Sequence, residues 1–206
     1  MYSIQNPSDT KLPGEEKPLP HEEAFADWSR RLAVSDRRAY GELFKATHPL
    51  LLRFAWRFTK DREVSRDIVQ DAFLKLWQVR TTLDPNRSLR ALLYTIVRNL
   101  ALNAVRDHRH TDELTPDTMR DGESSLPDDQ LESRLLESRL HQYIRELPER
   151  RREAFTLSRF EGLTHAEIAQ IMNLTPRTVN THITLAMRDL RKRMYALQNA
   201  GDQHEA

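Results

Sequence analysis

Arg177, Thr178, Asn180, Thr181, His182, Thr184 and Arg188 crowd into one short stretch near the C-terminal end of a 206-residue chain. These residue types suit recognition better than bond-breaking. Arg and Asn can each make paired hydrogen bonds to a base edge, and Thr can reach a base or a phosphate. Catalytic arrangements are hard to find elsewhere. His108, His110, His141, His165 and His182 are candidate ligands, and only His108 and His110 stand close together. That pair ends a basic helical stretch, where cations complement the helix dipole, so capping explains it better than metal binding. The chain contains no H-E-x-x-H, no glycine-rich phosphate loop and no nucleophile motif. No metal, no cofactor and no enzymatic activity are expected.

Two helices must position the polar set. Thr164 and Glu167 form a T-x-x-E capping box ahead of Ala166, Ile168, Ala169, Ile171 and Met172. Asn173 and Leu174 break that helix. Thr175 caps the next one, with Pro176 at its first position, where a missing N–H costs nothing. Val179, Ile183, Ala186, Leu190 and Met194 then recur every three or four residues, an amphipathic face opposite the polar set. Helix, turn and polar second helix make a helix-turn-helix pattern, whose second helix can lie in the DNA major groove. The plainer alternative is a helical hairpin with a solvated polar face.

Composition sets the frame. Hydrophobic residues make up 38% and charged residues 31%, glycines number only 5, and no alternating strand pattern stands out, which points to an all-α protein. The net charge of +1 is uninformative, but the charge is segregated. With no cysteine, disulfides and thiolate metal sites are excluded. No apolar run is long enough to cross a membrane, and the N-terminus lacks the apolar core of a secretory signal. A cytoplasmic protein without direct membrane insertion is expected.

In chain order, residues 1–21 carry Pro7, Pro13, Pro18 and Pro20 among polar residues and read as a disordered tail. Helices follow from Glu22, after Ser35 and from Pro49. A fourth helix, about Glu63 to Val79, buries Ile68, Val69, Ala72, Phe73, Leu76 and Trp77. Its other face carries Asp67, Gln70, Asp71, Leu74, Lys75 and Gln78, where Leu74 is out of place. Ser88 caps a fifth helix that turns Leu89, Leu93, Ile96, Val97, Leu100 and Ala104 inward and Arg98, Asn99, Asn103 and Arg106 outward. Between Arg87 and His110 five Arg oppose one Asp, a second basic surface. The composition then flips, with eight acidic residues against Arg120 alone from Thr111 to Ser133. Like charges with Pro116, Gly122 and Pro127 predict an extended tether. The expected organisation is a tail at 1–21, a helical domain at 22–110, a flexible acidic linker at 111–130, a helix-turn-helix domain at 131–196 and a polar tail at 197–206. Two basic faces on separate domains suggest a clamp that meets DNA at two places.

Three stretches carry a resemblance: AYGELFKATHPLLLRFAWRFTKDREVSRDIVQDAFLKLW, SLRALLYTIVRNLALNAVRDHRH and ELPERRREAFTLSRFEGLTHAEIAQIMNLTPRTVNTHITLAMRDLRKR. In this order they resemble an extracytoplasmic-function (ECF) RNA polymerase sigma factor over about residues 38–194. The resemblance implies that the chain binds core RNA polymerase, directs it to promoter DNA and helps melt it. The first domain then corresponds to sigma region 2, with Asp67, Gln70, Asp71, Leu74 and Lys75 on the polymerase clamp. The Leu83–Ser88 loop and Arg98, Asn99, Asn103 and Arg106 fall where the family reads and melts the near promoter element. The second domain corresponds to sigma region 4, with Arg177, Thr178, Asn180, Thr181, His182 and Thr184 at positions that read the far element and Arg188 on phosphate. An anti-sigma factor is a further partner that family habit allows, although no residue here points to one.

The chain departs from the family pattern at three places. The family often has Trp where Leu92 stands, Asp where Asn103 stands and a basic residue where Asn180 stands, so the far element it reads can differ from the commonest one. The competing reading is a LuxR-like helix-turn-helix regulator, which TVNTHI also fits. That reading requires an α/β first domain, and no parallel-sheet pattern is present.

Overall fold

The computed structural model of the chain describes residues 20–109 and 138–202, with side chains at 20–107 and 138–197. The expected N-terminal tail, apart from its last two residues, the acidic linker and residues 131–137 of the expected helix-turn-helix domain lie outside the described residues. The fold is all-α, and no strand forms among the described residues. The α/β first domain that the regulator alternative needs is therefore replaced by helices.

Helix α1 spans Glu22–Ala33, α2 Arg37–Thr59, α3 Arg62–Val79 and α4 Leu89–Arg109, with a single 3-10 turn at Arg80–Thr82 between the last two. Residues 138–145 form α5. Helix α6 spans Glu149–Arg159, α7 His165–Met172 and α8 Pro176–Asp202. Helices α2, α3 and α4 pack against one another, and α1 lies across α2. In the second half, α8 packs on α6 and α7, while α7 also packs on α4.

Local chemistry explains most helix starts. Asp36 accepts from the Arg38 and Ala39 amides at 2.7 and 3.3 Å, and Asp61 accepts from the Glu63 and Val64 amides at 2.8 and 3.0 Å. The Ser88 hydroxyl accepts from the Ala91 amide at 3.1 Å, as its position ahead of α4 predicts. The capping box at Thr164 and Glu167 is complete. Gly162, at φ 59°, turns the chain after α6, and Asn173 at φ 53° ends α7 in the left-handed conformation.

Two boundaries differ from the sequence expectation. A new helix was expected from Pro49, yet Pro49 lies inside the continuous α2. Proline at that position removes the bond to the Lys45 carbonyl. Lys45 is exposed, so water can serve that carbonyl, while Leu43, Thr47, Leu51 and Phe54 stay buried on the core side and hold the helix together. Helix α8 also continues to Asp202, into the stretch expected to be a polar tail.

One apolar cluster runs from Phe25 and Leu32 through Phe54, Phe73, Leu93 and Val97 to Leu157, Leu163, Ile168 and Val179. It thus continues across both halves of the chain. A smaller cluster of Ile144, Leu147, Phe155, Ala186 and Leu190 holds α5, α6 and α8 together. Arg151 donates to Asp189 at 2.7 Å, and Arg193 reaches Glu146 and lies over the Tyr143 ring.

Arg31 fastens α1 to α2. Its guanidinium donates to Asp36 at 2.9 Å, to Asp27 at 3.2 Å and to both oxygens of Glu42 at 2.7 and 3.1 Å, and Trp28 Nε1 also donates to Glu42 at 3.2 Å. Hydrogen bonds from Arg31 hold the Asp36 and Glu42 carboxyls below their usual range. Carboxylates with lowered pKa contribute stability that is present above their unfolded values and lost as the pH falls through the folded ones. Protection of the α1 amides, taken relative to an unstructured peptide at the same pH, should therefore fall only when the pH drops below the ordinary carboxylate range. In Arg31→Met the same loss of protection should be present at pH 7. Hydrogen-exchange mass spectrometry checks both, and pH-independent α1 protection in the wild type would contradict the account.

Candidate nucleic-acid interface

Three polar faces come from three helices. On α3 the apolar rows Ile68, Val69, Ala72, Phe73 and Leu76 bury against α2 and α4, which forces the remaining positions outward. Asp67, Gln70, Asp71, Leu74 and Lys75 are all exposed and share that outer face. Leu74 is 58% exposed, one of four large apolar side chains so placed among the described residues. A leucine between charged neighbours on a solvated stripe offers an apolar centre with a polar rim, the anatomy of a protein contact.

On α4 the expected set divides. Asn99, Asn103 and Arg106 are exposed. Arg98 is not. Its Nε and Nη2 donate to the two carboxylate oxygens of Glu153 on α6 at 2.5 and 3.1 Å, and its side chain is only 13% exposed. Such a fork-to-fork pair is among the stronger charge-assisted contacts. The outward direction expected for Arg98 holds for α4 considered alone, but α6 lies over that part of the helix. The loop before α4 is exposed at Asp84, Pro85, Asn86 and Arg87, and Asp84 shapes it by accepting from the Asn86 amide at 2.9 Å. Inward, Tyr94 and Ala101 join the buried set, whereas Ile96, Leu100 and Ala104 are only partly buried.

On α8 the polar face is largely open. Val179, Ile183, Ala186 and Leu190 are buried, which leaves Arg177, Asn180, Thr181, Thr184 and Arg188 exposed. Thr178 is half-buried and shares the cap with Thr175, at 2.9 Å between hydroxyls. His182 is half-buried too, and its Nδ1 is enclosed with no hydrogen-bond partner. Thr178 and His182 thus sit at the margin of the face, with Arg177, Asn180, Thr181 and Thr184 at its centre.

Between the halves lies a polar group that the sequence expectations missed. The Glu161 side chain, after α6, is fully buried. Arg57 Nη1 on α2 and Tyr94 Oη on α4 each donate to its carboxylate at 2.7 Å, and Arg90 of α4 donates to its backbone carbonyl. Burial, reinforced by the adjacent Glu161 charge and hydrogen bond, pushes the Tyr94 hydroxyl well above its ordinary value, which keeps it a donor. Nearby, Ser88 donates to Glu167 at 2.8 Å, so the α7 capping residue also touches the start of α4. Removing one partner of a buried ion pair costs about 3–5 kcal/mol. One signal was available in the sequence: an acidic residue at the C-terminal end of a helix opposes the dipole and calls for a compensating cation.

Residues 43–111 match the Sigma-70 region 2 model, and residues 137–190 match the model for Sigma-70, region 4. The chain is 30% identical over 175 residues to the ECF RNA polymerase sigma factor RpoE of Cereibacter sphaeroides, covering 82% of this chain and 95% of that protein. It is 29% identical over 177 residues to the RNA polymerase sigma-H factor of Pseudomonas aeruginosa, covering 81% and 92%. Among solved structures, CnrH in complex with the cytosolic domain of CnrY matches with a TM-score of 0.61 at 24% identity, over 84% of this chain and 98% of that one. RpoE of Bartonella quintana, solved with the anti-sigma factor NepR, matches with a TM-score of 0.57 at 19% identity, over 76% and 96%. An all-α fold of this type, two sigma-70 models in the expected order and relatives aligned over most of their length place the chain in the family of ECF RNA polymerase sigma factors.

Proposed function

We propose that this initiation factor grips its targets through the three faces described above. The α3 face of Asp67, Gln70, Asp71, Leu74 and Lys75 docks on core RNA polymerase. Asn99, Asn103 and Arg106 on α4, with the Leu83–Ser88 loop, meet the near promoter element and hold unstacked bases as the duplex opens, while Arg98 is taken up by Glu153. Arg177, Thr178, Asn180, Thr181, His182 and Thr184 on α8 read the far element in the major groove, and Arg188 holds phosphate. The work is binding and duplex opening rather than catalysis, and its setting is the cytoplasm. No helix among the described residues is long and apolar enough to cross a membrane. An anti-sigma factor is a further partner, on the precedent of the Bartonella protein solved with NepR.

The observation that carries this reading is the simultaneous exposure of the α3 and α8 faces on a chain of this family. Each face alone is small, so affinity comes from using them together. Run-off transcription with purified core polymerase on a genomic fragment library tests the whole reading. Start sites that appear only when the protein is added support it, and their absence on every fragment rejects it.

Two substitutions separate the faces. Leu74→Glu places a charge at the centre of the α3 face without touching the core. It should weaken association with core polymerase at least about tenfold, or about 1.4 kcal/mol, with unchanged helicity by circular dichroism. Equal affinity would remove Leu74 from the contact. Asn180→Ala should change discrimination at the far element by about 1–3 kcal/mol while leaving core binding alone. A uniform fall on all promoters would make Asn180 a phosphate or structural residue instead.

A further inference from the structure

Where α2 ends, positive charge collects without a matching acid. Lys60 closes α2 in the left-handed conformation, at φ 56°. It is exposed, yet its ammonium packs over the Trp56 ring, 4.6 Å from the centroid. Arg57, one turn earlier, lies over the Phe160 ring at 5.4 Å. On the other side is the turn between α5 and α6, where the Arg152 guanidinium donates to the Arg145 carbonyl at 2.6 Å. Partial loss of water, reinforced by the positive charges of Arg145, Arg152 and Arg57, lowers the Lys60 ammonium from its ordinary value.

The acids around these cations are engaged elsewhere. Glu161 takes Arg57, Glu153 takes Arg98 and Glu146 takes Arg193. Asp61, next to Lys60, caps α3 through the Glu63 and Val64 amides. Among the described residues, no carboxylate forms an ion pair with Lys60, Arg145 or Arg152. Helix ends offset only part of this charge. Lys60 stands at the C-terminus of α2 and Arg145 at that of α5, and each helix end carries about half a negative charge. Roughly two of the three unpaired positive charges therefore remain uncompensated. Like charges held together in this way oppose the compact state, and an anion placed among them removes that cost.

We propose that Lys60, Arg145 and Arg152, beside Arg57, form a binding site for a compact polyvalent phosphate, free or carried by a nucleoside. Guanidinium forks match phosphate oxygens in pairs, and the lysine adds a point charge. A nucleic-acid backbone fits less well, because a strand spreads one charge over about 3.4 Å of axis, whereas these cations converge on one side chain. An acidic peptide likewise spreads its carboxylates along an extended chain. None of the four cations belongs to the α3, α4 or α8 faces. The site joins the end of α2 to the α5–α6 turn, so an anion held there stabilises the folded chain by mass action.

Titration calorimetry of the full chain with inorganic tripolyphosphate, free of divalent cations and at physiological salt, reads the site. Salt at that level screens attraction that is only long-range. One saturable site is expected. Lys60→Gln and Arg152→Gln should each weaken it at least about tenfold. Lys192→Gln, which removes an exposed cation on α8, should leave it unchanged. Competitive amine acylation read by mass spectrometry locates the anion on the unsubstituted chain: tripolyphosphate should protect Lys60 and not Lys45, Lys75 or Lys192. A nucleoside triphosphate, titrated in parallel, separates the sources. Tighter binding than tripolyphosphate assigns the nucleoside-borne anion, and equal or weaker binding assigns the free one. Absence of saturable binding, equal affinity in both site variants, or acylation of Lys60 that tripolyphosphate does not slow would overturn the proposal. Stronger protection of Lys60 by duplex DNA of random sequence, or by poly-glutamate, would give the site to nucleic acid or to an acidic peptide and reject the phosphate assignment.

Discussion

A carboxylate taken fully out of water must be met by donors, and Glu161 is met by two on its side chain and a third on its backbone. The placement of both halves follows from that constraint. Arg57 and Tyr94 project from α2 and α4 at the one depth where they can satisfy Glu161, which fixes where the α6–α7 turn can sit. Gly162, next to Glu161, supplies the left-handed turn that sends the chain straight into α7. Leu163 then enters the shared apolar cluster, and its amide donates back to the Leu157 carbonyl at 3.1 Å. Polar and apolar contacts at the seam thus depend on the same three-residue turn.

The faces left to solvent reflect the opposite constraint. Helix α3 gives one side to the core, so its charged stripe is exposed whatever the second half does. Helix α8 buries Ala186 and Leu190 against α5 and α6, and Val179 and Ile183 in the cluster that crosses the seam, while its polar side stays exposed. Only α4 is used twice. Its apolar side builds the first half, and part of its basic side is covered by α6.

Local chemistry is legible in this sequence, and long-range pairing is not. The capping box at Thr164, the caps at Asp61, Ser88 and Thr175 and the positive φ of Gly162 all depend on residues within a few positions of one another. The α3 and α8 faces followed from helical periodicity, because their neighbours lie on the expected sides. Proline favours a helix start, which points to one at Pro49, but buried residues on both sides of it hold α2 together. Periodicity within α4 alone turns Arg98 outward. The partner that turns it aside lies in α6, across a segment whose length says nothing about docking. Glu161 is hidden in the same way: its partners precede it by 67 and 104 residues.

Helix α8 runs unbroken from Pro176 to Asp202. At 1.5 Å of rise per residue it is a rod of about 40 Å, with Arg177 and Asn180 in its first turns. From its midpoint onward, Arg151–Asp189 and the Arg193 contacts with Glu146 and Tyr143 tie it to α5 and α6. Arg193 stands 16 residues, about 24 Å of helix, beyond Arg177, so a tilt of about 5° about that tie moves the first turn by roughly 2 Å. Small changes in the packing of Tyr143 and Glu146 are thereby carried along the rod to Arg177 and Asn180.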